Sequence, residues 1–126
     1  MELDNKHLIY PLSSIKDNDL IVNICEWDDQ IQIYIIKPES AIVTLTIYEP
    51  DFKTGFITSL YVHPEVRGLK IGTILITACL DIANVIKCKI LALNVKPNTF
   101  VHEWYNRLGF IDFESSDNLI RLIKTL

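Results

Sequence analysis

Apolar and polar residues alternate through the first half of the chain, which is the pattern of strands that bury one face. The alternation is clearest in Ile31–Ile36 and in Ala41–Tyr48, and the turn residues Pro38-Glu39-Ser40 separate these two runs. A third β-rich run, Phe56–Val62, follows after a loop. The pattern therefore predicts three consecutive antiparallel strands.

The period of the apolar residues changes after the third strand. From Ile71 to Ile86 they recur every three or four positions, which predicts a helix with one apolar face. Ile90–Val95 is then a continuous apolar run, suited to a buried strand. The succession predicts a strand–helix–strand unit with its helix packed on the sheet.

A second helix is predicted after Pro97-Asn98-Thr99, which ends the buried strand and offers a cap. Its apolar face comprises Val101, Trp104, Tyr105 and Leu108. Gly109 is placed as the residue after the helix end. Two closing strands are predicted at Phe110–Phe113 and Leu119–Ile123, joined by a polar turn.

The pattern is weakest before residue 30. Leu8–Leu12 fits a short strand, and the apolar residues of Ser14–Trp27 fit a helix that Asp17-Asn18-Asp19 interrupts. No repeat or linker divides the sequence, so we expect a single domain over residues 1–126. Its predicted class is α/β (α+β), a mixed central β-sheet flanked by helices.

Composition narrows the classes of function. The chain has 126 residues, 49% of them hydrophobic, and a formal net charge of -4, which argues against binding to nucleic acid or to an anionic membrane surface. Its N-terminal sequence lacks the pattern of a signal peptide, and no apolar run reaches the ~20 residues that span a bilayer. The three cysteines lack metal-ligand spacing. We therefore expect a cytoplasmic protein with reduced thiols and no metal.

The segment from Ile57 to Gly72 offers an anion site. A strand ends at His63-Pro64, an Arg67-Gly68 turn follows, and a helix opens at Ile71. The first N–H groups of a helix lack intrahelical partners, and they lie at the positive end of its dipole. We expect a cofactor pyrophosphate there. Neither the dinucleotide-binding glycine pattern nor a Walker A sequence is present.

These residues resemble the GNAT family, the GCN5-related N-acetyltransferases. The family signature Arg/Gln-x-x-Gly-x-Gly/Ala reads Arg67-Gly68-Leu69-Lys70-Ile71-Gly72 here, between a strand and a helix. A second signature, Asn-x-x-Ala-x-x-x-Tyr-x-x-x-Gly-Phe, matches residues 98–110 except for Val101 in the alanine position. The resemblance covers roughly residues 31–126 and implies the GNAT fold.

The sequence departs from the family in two places. Lys70 replaces a glycine that lets the backbone approach the phosphates, although lysine fits the loop if its φ stays negative. The N-terminal helical region is shortened, with room for one helix or two very short ones. We therefore expect an acceptor site that is open, reshaped or completed by a partner.

The resemblance implies acetyl-CoA as cosubstrate. The N–H groups of Leu69, Ile71, Gly72 and Thr73 would hold the pyrophosphate, with a further bond from the Thr73 hydroxyl. The alternative is an ordinary strand-to-helix turn with Arg67 as a surface charge. The cofactor-binding residues implied are Leu60, Tyr61, Val62, Arg67, Gly68, Leu69, Lys70, Ile71, Gly72, Thr73, Asn98 and Tyr105.

Catalytic roles are implied for Leu60 and Tyr105. The backbone N–H of Leu60 or Tyr61 would stabilise the oxyanion, and the Tyr105 phenol would protonate the leaving thiolate. A core aromatic is the alternative for Tyr105. A helix N-cap is the alternative for Asn98.

A general base is not evident from the sequence. Candidates near the strand ends are Glu49, Asp51, His63 and Glu65, each with a solvated surface charge as the alternative. His102 is expected on an exposed helix face. Glu103 and Asp112 are expected to be surface charges.

Together these observations predict an N-acetyltransferase that moves an acetyl group from acetyl-CoA to a primary amine, of a small molecule or a protein. The expected chemistry is direct attack in a ternary complex, since no cysteine lies beside a recognisable base. The alternative is a non-catalytic GNAT-fold module that binds CoA or another protein. An open sheet edge would also allow a homodimer.

Overall fold

The computed structural model describes the backbone of residues 4–11, 19–48, 53–68 and 70–126, and side chains from Leu20 onward within these ranges. Eight strands form one sheet, in the order β1-β2-β3-β4-β5-β6-β8-β7. The strands are β1 Asp4–Pro11, β2 Asp19–Glu26, β3 Gln30–Lys37, β4 Ala41–Tyr48, β5 Thr54–Val62, β6 Ile90–Val95, β7 Ile111–Ser116 and β8 Leu119–Thr125.

Within the described ranges, two helices and one short turn accompany the strands. A 3-10 turn at Pro64–Val66 follows β5, helix α1 spans Ile71–Ile86, and helix α2 spans Phe100–Arg107. The predicted α+β class and the order of elements after residue 30 are therefore confirmed. No helix in the described ranges is long and apolar enough to cross a membrane.

The prediction of a helix over Ser14–Trp27 is wrong where the structure describes it. Residues Asp19–Glu26 form β2, which pairs with β1 on one side and with β3 on the other. Leu20 and Val22 are buried, as expected for a strand that buries every second side chain. The apolar residues of this segment also fit the spacing of a helix, which is why the sequence favoured one. Pairing with two neighbouring strands selects the extended form. The first half of the predicted helix lies outside the described residues.

Strand β1 begins earlier than the predicted strand Leu8–Leu12. It occupies Asp4–Pro11 and pairs antiparallel with β2 along its whole length. Leu12 lies outside the described residues. An extended hairpin thus stands at the position where the sequence predicted a shortened helical region.

The main core lies between one face of the sheet and the helices. Helix α1 packs on β3, β4 and β5. One buried cluster joins both helices to the sheet: Ile33, Ile35, Val43, Leu45, Leu75, Cys79, Leu93, Tyr105 and Leu122. Because side chains alternate along a strand, Asn94 and Arg121 face away from this cluster. We call that side of the sheet the open face.

The parallel contact between β5 and β6 is short, and this shapes the site. Only Thr54–Phe56 pairs with Ile90–Ala92. The β4–β5 register shifts between Thr44 and Leu45, which leaves Thr58 as an extra residue in β5. A bulge bends its strand and increases the local twist. Past Phe56 the two strands part, and a gap opens between them.

Candidate active site

A cleft of about 430 Å³ lies where β5 ends and α1 begins. Its walls come from the end of β5, the loop between β5 and α1, and the start of both helices. The structure brings nine predicted cofactor-binding residues into this main cleft: Leu60, Tyr61, Val62, Arg67, Gly68, Lys70, Ile71, Gly72 and Thr73. Leu69 lies outside the described residues.

The first turn of α1 faces the main cleft and carries no acidic residue. No side chain caps it, and the first intrahelical bond of the turn is donated by the Ile74 N–H to the Lys70 carbonyl. The N–H groups of Ile71, Gly72 and Thr73 therefore remain without intrahelical partners. This end of the helix has a positive electrostatic potential.

Lys70 occupies the left-handed region, with φ of 63°. The condition of a negative φ, under which lysine would fit this loop without strain, is therefore not met. The loop keeps the conformation that a glycine would favour, although a Cβ there usually costs about 1–2 kcal/mol. The exposed Lys70 side chain borders the main cleft, so its ammonium group adds positive charge beside the helix terminus.

Replacing Lys70 with glycine is expected to raise the free energy of unfolding by about 0.5–1 kcal/mol, since relief of strain exceeds the added entropy of the unfolded chain. Thermal unfolding should show a rise of about 2–4 °C. Lys87 is the matched control because its φ of 71° is also left-handed. Lys87→Gly should stabilise equally but leave CoA affinity and its salt dependence unchanged, whereas Lys70→Gly should lessen that salt dependence.

Arg67 is folded back on β5. Its Nε donates to the Val62 carbonyl at 2.9 Å, and its guanidinium lies 6.0 Å from the centre of the Tyr61 ring. The two Nη groups are left for an anion in the main cleft. The Arg67 side chain is thus exposed, as the alternative of a surface charge predicted, but these two contacts hold it in a fixed position.

The wall opposite the loop was missed by sequence reasoning. It consists of Phe100, Val101 and Trp104 from the start of α2. A Cβ on Gly72 would lie 3.3 Å from two carbons of the Trp104 indole, so glycine permits α1 to approach this wall. Phe100 is 74% exposed. The signal in the sequence that could have indicated this wall was the aromatic residue directly after the cap of α2.

A second cavity of about 250 Å³, the crevice, fills the gap between β5 and β6. It shares Leu60, Val101 and Trp104 with the main cleft, so the two cavities adjoin at these residues. The lining of the crevice includes Tyr105 on the helix side and Asn94 on the open face.

The register of β5 determines which main-chain groups face the crevice. The His63 N–H donates to the Ser40 carbonyl at 2.7 Å. Because bonded and non-bonded pairs alternate along an antiparallel ladder, Tyr61 bonds to Ile42 while Leu60 directs its N–H away from β4. The Val62 carbonyl, which accepts from Arg67 on that same side, agrees with this alternation.

Tyr105 lies in the wall of the crevice and is only 5% exposed. Its ring makes edge contacts with Trp104 and Phe110, at centroid distances of 4.8 and 5.5 Å. Burial, and then the nearby Cys79 thiol, raise the pKa of the Tyr105 phenol. The ring therefore belongs to the core and the hydroxyl keeps its proton, while the role of Tyr105 as an acid stays a prediction.

The Cys79 thiol is not suited to covalent catalysis. It is fully buried, and burial raises its pKa to about 12. A neutral buried thiol is a poor nucleophile.

Asn98 is not among the residues that line the main cleft or the crevice. Its φ is 60°, its side chain is exposed, and its N–H donates to His102 Nδ1 at 3.1 Å. Thr99 caps α2 instead, because its hydroxyl accepts from the His102 N–H at 3.2 Å. The prediction of Asn98 as the helix N-cap is therefore wrong, because the N-cap is Thr99.

The expectation that His102 lies on an exposed helix face is wrong. The residue is 7% exposed, and its Nε2 lies 2.9 Å from Asp112 Oδ1. Because Nδ1 accepts from the Asn98 N–H, the neutral ring carries its proton on Nε2. Hydrogen bonds from His102 and Asn106 lower the pKa of Asp112. Asp112 is exposed, as predicted, but it ties α2 to β7.

Two of the candidate bases, His63 and Glu65, are not among the residues that line the crevice. His63 caps the 3-10 turn, where its Nδ1 accepts from the Glu65 N–H at 3.2 Å. Both residues are exposed. Glu49 and Asp51 lie outside the described residues. Within the described residues, the lining of the crevice holds no carboxylate and no imidazole.

This combination of a mixed sheet, a parted pair of parallel strands and a helix N-terminus facing the gap defines a class of α+β fold with a split central sheet. The Acetyltransferase (GNAT) family matches residues 5–110, and the chain belongs to this family. An uncharacterized N-acetyltransferase of Methanocaldococcus jannaschii is 29% identical over 100 residues, covering 72% of this chain and 64% of the relative. The chain thus spans less than two thirds of that relative's length.

Solved structures show the same fold. The PaiA N-acetyltransferase of Thermoplasma acidophilum, in complex with coenzyme A, has a TM-score of 0.66 at 19% identity, over 78% of this chain and 62% of that chain. An acetyltransferase of Bacillus cereus has a TM-score of 0.60 at 18% identity, over 98% of this chain and 74% of that one. At such identities the likeness shows the fold alone.

Proposed function

We propose that the protein binds acetyl-CoA in the main cleft and transfers the acetyl group to a primary amine that arrives through the crevice. The observation that carries the proposal is that the two cavities adjoin at Leu60, whose N–H is directed away from β4 and towards the crevice. Family membership supports acetyl-CoA as the donor. The coenzyme A bound to the Thermoplasma acidophilum protein is consistent with it.

The main cleft supplies the groups that a pyrophosphate requires. The N–H groups of Ile71, Gly72 and Thr73 would bind its oxygens, and Arg67 would add charge-assisted hydrogen bonds through its Nη groups. Lys70 would contribute a mobile ammonium. The apolar wall of Phe100, Val101 and Trp104 would hold the arm of the cosubstrate beside β5.

The crevice supplies two groups for the chemistry. As the amine nitrogen attacks the thioester carbon, negative charge develops on the carbonyl oxygen, and the Leu60 N–H would donate to that oxygen. When the carbon–sulfur bond breaks, Tyr105 would give its proton to the departing sulfur. The amine loses its proton to water, since the described lining of the crevice offers no carboxylate or imidazole.

A non-catalytic CoA-binding or protein-interaction module is the second candidate. Two observations favour it: the left-handed Lys70 in the glycine position and the lack of a base among the described crevice residues. Such a module would bind CoA in the main cleft without turning over an amine.

The first experiment is thermal unfolding with acetyl-CoA, CoA and NAD. A ligand at about 100 times its Kd raises the free energy of unfolding by roughly 2.7 kcal/mol, which corresponds to several degrees for a domain of this size. We expect this shift with acetyl-CoA and with CoA. NAD is the control and should give no shift, because it lacks the pantetheine arm that the apolar wall would hold.

Release of CoA thiol in the presence of a panel of primary amines then separates the two candidates. Turnover with any amine supports the transferase. A thermal shift without turnover supports the binding module. Absence of a shift at millimolar acetyl-CoA contradicts the transferase and the CoA-binding module, and it favours a protein-interaction module.

A further inference from the structure

The open face carries a fixed cation beside the crevice. Arg121 Nε donates to Asn94 Oδ1 at 3.0 Å, and the guanidinium lies 5.4 Å from the centre of the Phe56 ring. Both contacts hold the group in place, and they leave the Nη donors unused. Among the residues that the structure describes, no carboxylate forms an ion pair with Arg121.

The position of this cation follows from the sheet. Asn94 pairs with Arg121, and both alternate with the buried Leu93 and Leu122. Phe56 lies between Gly55 and Ile57, which are buried in the core. The three side chains therefore share the open face. Asn94 lines both the crevice and the small polar cavity that Arg121 lines, so the guanidinium lies next to the crevice on the open face.

On the basis of the proposed function, we propose that Arg121 binds a carboxylate on the amine acceptor and so determines its class. A planar guanidinium that is oriented by one hydrogen bond and an aromatic face is suited to bidentate binding of a carboxylate. The cation–π contact and the Asn94 amide keep the guanidinium in place without neutralising its charge. Glu114 is the direct cross-strand partner of Arg121 on β7 and lines the same small polar cavity. Among the described residues the two side chains make no ion pair, so the Nη donors stay available to an incoming carboxylate.

The strand geometry sets the length of the acceptor. The guanidinium stands near the level of Phe56. Because β5 carries the extra residue Thr58, Phe56 and Leu60 lie opposite Thr46 and Val43, which are three residues apart on β4. At about 3.3 Å per residue, this places the guanidinium roughly 10 Å from the reacting carbon. An extended chain advances about 1.2 Å per bond, so an amine and a carboxyl carbon six bonds apart span roughly 7 Å, and the hydrogen bond adds about 3 Å. The acceptor is thus an ω-amino acid with about five methylenes, or the side chain of a free lysine.

The test compares 6-aminohexanoate with its neutral amide, 6-aminohexanamide. We expect kcat/KM for the carboxylate to exceed that for the amide by about tenfold to a hundredfold, the usual contribution of a charge-assisted hydrogen bond. The shorter 3-aminopropanoate should show no such advantage over its own amide. In Arg121→Gln the advantage of 6-aminohexanoate should disappear, while kcat/KM for 6-aminohexanamide is retained, which also shows that the variant is folded.

Arg107→Gln is the matched control, because Arg107 is exposed on α2 and lines neither cavity. It should keep the preference for the carboxylate. Equal kcat/KM for the two amines in the unaltered protein, or a preference that survives Arg121→Gln, would overturn the role of Arg121 and leave the transferase standing.

Calorimetric titration of both amines into the CoA-bound protein supplies a readout that does not depend on turnover. Tighter binding of 6-aminohexanoate that Arg121→Gln abolishes would support the carboxylate site even where no acetyl group is transferred. In that case the proposed function fails and the site stands. Equal binding of both amines, together with an absence of turnover, overturns both.

Discussion

Tyr105→Phe is expected to lower kcat by roughly 100-fold or more while leaving the affinity for CoA unchanged, since general acid catalysis commonly contributes at least that factor. The fold should tolerate the change. The ring contacts with Trp104 and Phe110 at 4.8 and 5.5 Å involve carbon atoms that phenylalanine retains. Only the hydroxyl in the crevice wall is lost.

The pH dependence gives a second readout of the same residue. Burial favours the neutral phenol and raises the pKa of Tyr105 above its ordinary value of 10.0. The phenol therefore still carries its proton at pH 10, and kcat should not fall up to that pH through loss of the acid. Steady-state assays from pH 7 to 10 check this for the unaltered protein and for Tyr105→Phe.

Tyr34→Phe is the control for the loss of a tyrosine hydroxyl elsewhere. Its hydroxyl donates to Gln32 at 2.7 Å, away from both cavities. The control should keep full activity. If Tyr105→Phe also turns over at the unaltered rate, the phenol is a core residue alone and the leaving thiolate takes its proton from another source.

Leu60→Pro is expected to lower kcat by roughly 100- to 1,000-fold, the usual effect of removing one donor to a developing oxyanion. Proline lacks the N–H and keeps an extended backbone. Since the Leu60 N–H points away from β4, its loss breaks no bond of the β4–β5 ladder. Far-ultraviolet circular dichroism and CoA titration should therefore match the unaltered protein closely.

Leu60→Ala separates the main-chain donor from the side chain. It removes the half-buried leucine side chain, which packs against the core, and it retains the N–H. We expect a loss of stability with kcat close to that of the unaltered protein. Equal losses of kcat in Leu60→Ala and Leu60→Pro would show that the side chain matters and that the N–H is not the donor.

The elements after residue 30 could be predicted because each is set by a local pattern. Ala41–Tyr48 and Ile90–Val95 have the predicted bounds, and α1 opens at Ile71 as the change of period indicated. Gly109 follows α2 with φ of 99°, as its place after the helix end required. In each case burial of one face dictates the spacing of apolar residues.

The N-terminal segment could not be predicted in this way. Asp19–Glu26 fits both a helical and an extended spacing, and its own residues do not decide between them. The neighbouring edges of β1 and β3 do so, since they supply the hydrogen bonds of a ladder.

The sequence by itself determined the loop from Arg67 to Thr73, the helix that opens behind it and the candidate role of Tyr105, because these lie in contiguous motifs. Only the tertiary structure decided the direction of the Leu60 N–H, the hydrogen bond between the buried His102 and the exposed Asp112, and the cation held by Asn94 at the open face. The physical reason is that these features depend on strand register and on the parting of β5 from β6. Both arise from contacts between residues that are distant along the chain.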